Sequence, residues 1–182
     1  MWNQIERGAG GLCYSPGHRA ATAAPPEETD TRELAAALAA IPRGRWVLSA
    51  SHEERRLGLL LERVQQVGDE PPTVAIAVAK GHPVLPLISE SRRFGLAQLG
   101  PSDRTSVRRF SERAEPAAEP FLGVDTVSTP LRGLAIPRTS VAHLACELVC
   151  HIDVESDHDL FVGRVVGAGR GGGEPTVLHG DG

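Results

Sequence analysis

The chain has 182 residues, 41% of them apolar and 23% charged, with a formal net charge of −4. This length provides one domain with a sizeable core and leaves too little chain for two. Without a basic excess or an apolar run of about 20 residues, the composition argues against charge-driven nucleic-acid binding and against a membrane-spanning helix.

Residues 1–29 are rich in Gly, Ala and Pro and end in AAPPEETD. They are expected to form a flexible N-terminal arm, because such a segment buries too little apolar area to offset the entropy of ordering. They also lack the continuous apolar stretch of a secretory signal, so a cytoplasmic location is expected. DTRELAAALAAIPRG follows as a helix. Asp30 and Glu33 resemble a capping box, Leu34, Leu38 and Ile41 share one face, and Pro42 with Gly44 ends it.

RWVLSAS, from Arg45, is a strand, whereas LGLLLERVQQVG fits helical and strand periodicity equally. PTVAIAVA is continuous, rich in branched residues and bounded by Pro-Pro and Gly, which predicts a strand buried on both faces. A short helix over 83–91 brings Val84, Leu87 and Ile88 together. RFGLAQLG is a further strand, and PSDRTSVRRFSER a second short helix with Val107 and Phe110 inward. RAEPAAEP is a loop. A short strand near 133–136 precedes VAHLACELVCHIDVES and HDLFVGRVVGAG, two strands joined by a hairpin turn at Asp157. No regular βαβ alternation occurs, so residues 30–182 are expected to fold as one mainly antiparallel β-barrel with peripheral helices.

Few chemical motifs stand out. GAGRGG at 167–172 matches the glycine pattern of a dinucleotide loop, but no helix has room to follow it, and a glycine-rich hairpin is the better account. His151, Asp153, Asp157, His158 and Asp159 cluster in sequence, yet a hairpin sends them to different faces, so no metal site is expected. Cys13, Cys146 and Cys150 are read as buried or unpaired thiols. On one strand Cys146 and Cys150 face the same side about 13 Å apart, at about 3.3 Å per residue, too far for a disulfide. Lys80 is the chain's single lysine and sits in Lys80-Gly81-His82. A glycine beside two cationic side chains, between a strand and a helix start, suits a phosphate; ordinary turn chemistry accounts for the same residues.

WVLSAS, then LGLLLERVQQVGDEPPTVAIAVAKGHPVLPLISESRRFGLAQLG, then DHDLFVGRVVGAG and GEPTVLH resemble the flavin reductase-like family of FMN-binding split β-barrels. The resemblance spans roughly residues 34–179 and is most specific at 64–78 and 157–166. It implies a Greek-key barrel that forms a homodimer, with FMN near the dimer interface and NAD(P)H as transient substrate for hydride transfer. It places the flavin site on Ser49 and Ser51, on Gly58, Leu59, Leu60, Leu61, Glu62 and Arg63, and, for the phosphate, on Lys80, Gly81 and His82. His158 is the candidate for the nicotinamide or substrate side.

The chain departs from the family pattern where Leu60 stands for Thr, Glu62 for Ser and Ala97 for Asn. Losing two hydroxyl–phosphate bonds, at about 1.5–3 kcal/mol each, weakens FMN binding by about two to four decades, unless Arg63 takes over the anion. Two readings therefore stand: an FMN-binding oxidoreductase, or a degenerate split-barrel dimer with weak or no flavin binding that acts as a binding or assembly module.

Overall fold

Alternation between large and small side chains along each strand decides which face becomes core. The computed structural model describes residues 30–111 and 119–179; residues 1–29, including Cys13, and most of the RAEPAAEP loop lie outside them. The first elements are α1 (Thr31–Ala39), β1 (Arg43–Gly44), β2 (Trp46–His52), β3 (Arg55–Leu61), β4 (Val64–Asp69) and β5 (Pro72–Ala79). Next come α2 (Val84–Ser91), β6 (Arg93–Gln98) and α3 (Arg104–Phe110). The chain continues through β7 (Thr126–Val127), β8 (Ile136–Pro137), β9 (Ala142–Asp153), β10 (His158–Arg170) and β11 (Val177–Leu178).

The ambiguous LGLLLERVQQVG segment is two strands broken at Glu62 and Arg63. Seven strands form one antiparallel sheet in the order β3-β2-β6-β9-β10-β5-β4. Its two edges, β3 and β4, are consecutive in the chain but share no ladder, so the barrel is split at that corner. β5 pairs with β10 rather than with the next strand, β6, giving the crossed connection of a Greek key.

Inside the barrel, Leu48 and Ala50 of β2, Leu59 and Leu61 of β3, and Val74, Ile76 and Val78 of β5 meet Phe94, Leu96 and Phe161. α2 plugs one end with Val84, Leu87 and Ile88. Each such large side chain contributes about 1.5–3 kcal/mol on burial. A second core lies outside β2 and β6, where Val47, Ala97 and Leu99 pack against Phe110, Phe121, Ala135 and Ile136. Phe110 points inward as expected, while Val107 is half-buried.

Three expectations are corrected. β5 is not buried on both faces: Val74, Ile76 and Val78 are interior, but Ala75, Ala77 and Ala79 leave the outer face half-open. GAGRGG is no hairpin; its first residues continue β10, with Gly167 against Pro130 and Gly169 against His143. The strand placed near 133–136 is only Ile136–Pro137, paired with the short β7.

α1 starts at Asp30 as expected, its carboxylate accepting a hydrogen bond from the Arg32 N–H at 2.9 Å; Glu33 lies in the first turn. Its apolar face is not covered: Leu34, Leu38 and Ile41 are 50%, 57% and 56% exposed. Among the described residues, no helix is long and apolar enough to cross a membrane.

Candidate functional site

Side chains alternate across a strand, so a residue's parity fixes which side of the barrel it serves. On β5 and β10, the interior positions carry Val78 and Asp159, and the exterior positions carry Ala77, Ala79 and His158. Because the exterior residues of β5 are alanines, a hollow opens between this face and the β3–β4 corner. A cavity of about 570 Å³ occupies it, lined by Leu59, Leu60, Leu61, Glu62, Arg63, Ala77, Ala79, Ser111 and His158. A second cavity of about 600 Å³ lies between α1 and the outer faces of β4 and β5, with Leu38, Ile41, Ala75 and Leu160 in its walls. Glu62, Arg63 and Ala77 line both. Either volume is of small-molecule size.

Six of the residues singled out in the sequence therefore meet at one cavity: Leu59, Leu60, Leu61, Glu62, Arg63 and His158. The leucines line it without filling it, since Leu59 and Leu61 turn into the barrel core and Leu60 packs against the second core. Ala97, which replaces the family Asn, is fully buried in that second core.

The other singled-out residues lie elsewhere. Ser49 and Ser51 are buried on the outer face of β2, Ser49 near Gly95 and Ile136, and Ser51 near Gly133. Gly58 lies under the Phe110–Phe121 ring pair, where there is no space for a Cβ. The Lys80 ammonium is 2.6 Å from Asp153 Oδ1 and 3.9 Å from Asp159 Oδ1. The hydrogen bond between Lys80 and Asp153 raises the lysine above its usual range and holds the Asp153 carboxyl below its own. Gly81 takes the left-handed φ of +80° that its turn requires. His82 Nδ1 accepts a hydrogen bond from the Val84 N–H at 3.1 Å, at the start of α2. The turn expected to face a phosphate thus supplies an ion pair at the barrel end and a contact at a helix start; none of its three residues lines either cavity.

The polar chemistry of the cavity comes instead from Arg63 and His158. Arg63 Nη1 lies 3.1 Å from His158 Nε2, and His158 Nδ1 lies 2.9 Å from Asp157 Oδ1. A guanidinium can only donate, so Nε2 is the acceptor of this contact and Nδ1 is the ring nitrogen that faces the Asp157 carboxylate. The hydrogen bond from His158 holds the Asp157 carboxyl below the ordinary carboxylate range. Glu62 is balanced by Arg43, with Arg43 Nη1 3.5 Å from Glu62 Oε2. The cavity thus combines apolar walls with a guanidinium at its edge. Sequence reasoning missed Ala77, Ala79 and Ser111; the Val/Ile–Ala alternation of PTVAIAVA was the available signal for the first two.

The family model described as flavin reductase like domain matches residues 38–182. The NADH-dependent flavin reductase StyB of Pseudomonas fluorescens is 30% identical over 135 residues, covering 73% of this chain and 75% of that protein. Diflavin flavoprotein A 1 of Synechocystis is 29% identical over 134 residues, 73% of this chain but 23% of that protein. The chain therefore spans about a quarter of the length of that relative. Among solved structures, the styrene monooxygenase flavin reductase of Pseudomonas putida S12 matches with a TM-score of 0.66 and 28% identity, over 83% of this chain and 93% of that one. The NADH:FAD oxidoreductase SgcE6 of Streptomyces globisporus shares the fold, with a TM-score of 0.73 at 23% identity, over 86% and 93%.

Proposed function

The chain belongs to the flavin reductase-like family, and from that premise we propose that it is an FMN-binding flavoprotein oxidoreductase that passes hydride between NAD(P)H, flavin and an acceptor. The observation that carries this reading is the open cavity at the β3–β4 corner, which falls on the segment where the family resemblance puts the flavin. Its residues fit the group. Leu60, Ala77 and Ala79 offer apolar contact to a flat ring, and Arg63 offers charge to an anionic tail. Flavin, when bound, supplies the hydride acceptor, so no side-chain acid or base is required, in keeping with the lack of a catalytic triad or dyad in the sequence. His158, the candidate for the nicotinamide or substrate side, borders the same cavity.

The active form is a homodimer in a cytoplasmic setting. Support for the dimer comes from Leu34, Leu38 and Ile41, which expose an apolar face beside the larger cavity that a second copy would cover. The test is NAD(P)H oxidation followed with and without added FMN. FMN-dependent oxidation is expected, and its absence with both nicotinamides would refute the reading.

A further inference from the structure

Arg63 holds a position no other cation in the described structure shares. It lines both cavities, it is exposed, and its side-chain hydrogen bond goes to the ring of His158, with the Asp157 carboxylate acting on it through charge alone. The single lysine, by contrast, is engaged by Asp153 and Asp159, and Arg43 faces Glu62. The contact with His158 Nε2 uses one N–H of a five-donor fork, which leaves the rest for a ligand. His158 is itself fixed, because its Nδ1–H points at Asp157 across a tight 2.9 Å contact and its backbone is in ladder register with Ala79.

We propose that Arg63 is the residue that binds the phosphoryl group of the ligand, and that His158 and Asp157 are positioning residues that aim its guanidinium into the cavity. The inference rests on the flavin-reductase reading above and adds which side chain takes the anion. Planar, bidentate recognition of phosphate is what a guanidinium does best, and an acceptor behind it removes much of its rotational freedom before the ligand arrives. The charged groups that contact this ring are Asp157 on its own hairpin, against Nδ1, and Arg63 from the β3–β4 corner, against Nε2.

The test compares FMN with riboflavin, which differ only in the phosphate, and adds a separate titration with NADH. Wild type, Arg63→Gln, Arg63→Lys, Asp157→Asn and Asp157→Ala are used. Arg63 and Asp157 are exposed, so the variants are expected to fold, and circular dichroism checks it. Arg63→Gln is expected to weaken FMN roughly tenfold to a hundredfold while leaving riboflavin unchanged. Arg63→Lys recovers part of the loss. Asp157→Asn, whose side chain still accepts from Nδ1–H, stays near wild type, and Asp157→Ala loses part of the FMN preference. If NADH rather than FMN weakens, the proposal stands with the dinucleotide as the source of the phosphoryl group. An equal loss for FMN and riboflavin, or no loss for either FMN or NADH, overturns it. Wild-type protein that binds no flavin at all removes the flavin-reductase reading itself, an outcome distinct from a wild type that binds FMN with Arg63→Gln unchanged.

Discussion

Replacing Gly58 with alanine separates a packing role from a ligand role at a position where the family resemblance predicts the flavin. A Cβ at Gly58 would lie 2.6 Å from Phe110 Cε1, 2.7 Å from Phe110 Cδ1 and 2.9 Å from Phe121 Cζ. The two rings, with centroids 4.9 Å apart, are themselves buried, at 3% and 4% exposure. The strand cannot simply withdraw, because Gly58 is in register with Ser49 in the β2–β3 ladder. The rings must move, and forcing a methyl into such a core costs about 1–3 kcal/mol. Alanine returns about 0.4–1 kcal/mol by restricting the unfolded chain, so the net loss centres on about 1.3 kcal/mol. For a chain of this size, that lowers Tm by about 3–5 °C. A thermal melt and an FMN titration on the same sample read both effects. A lower Tm with FMN affinity within about twofold of wild type is expected. An unchanged Tm with FMN binding abolished would show that Gly58 touches the ligand, and the packing argument would fail.

Lys80→Met is expected to destabilise the fold while sparing FMN affinity, because it strips a partner from Asp159, which is 9% exposed. The pH dependence follows from the signs of the shifts. Asp153 is lowered, so its contribution is present above the ordinary carboxylate range and is lost as pH falls through its folded value; Lys80 is raised, so its contribution is present below its ordinary range and is lost only as pH rises beyond it. The wild-type advantage over Lys80→Met in denaturant melts is therefore full near neutrality and shrinks in strong acid; an advantage that persists unchanged in acid contradicts the ion pair. Burial pushes the Cys146 thiol up to about 12, so mass-spectrometric mapping at pH 8 should find Cys146 unalkylated in folded protein and alkylated after unfolding. Leu38→Glu puts a charge on the exposed face of α1, and sedimentation should report a shift from dimer to monomer; an unchanged dimer removes α1 from the interface.

Much of the barrel was legible because its strands carry their own parity. Val74, Ile76 and Val78 announce a core face, whereas the contiguous Leu59, Leu60 and Leu61 hide the alternation of β3, which only the fold resolves into strand. What a single strand cannot disclose is which partner covers its other face. The alanines of β5 were read as one more apolar stretch, when their smallness is what leaves the hollow. The Lys80 turn shows the same limit. Its residues suit an anion locally, but the ladder brings Asp153 and Asp159 to the ammonium from β9 and β10, and those contacts link residues more than seventy positions apart. Arg63 and His158 are separated by nearly a hundred residues, and only the strand order joins them.

The most direct measurement is an equilibrium titration of FMN into wild-type protein and into Ala77→Phe, a substitution that fills the wall common to both cavities. The account predicts saturable binding with the visible flavin spectrum perturbed in wild type, and binding lost in Ala77→Phe with its melting transition retained. Equal FMN binding by the two proteins, or no spectral change in either, would contradict it.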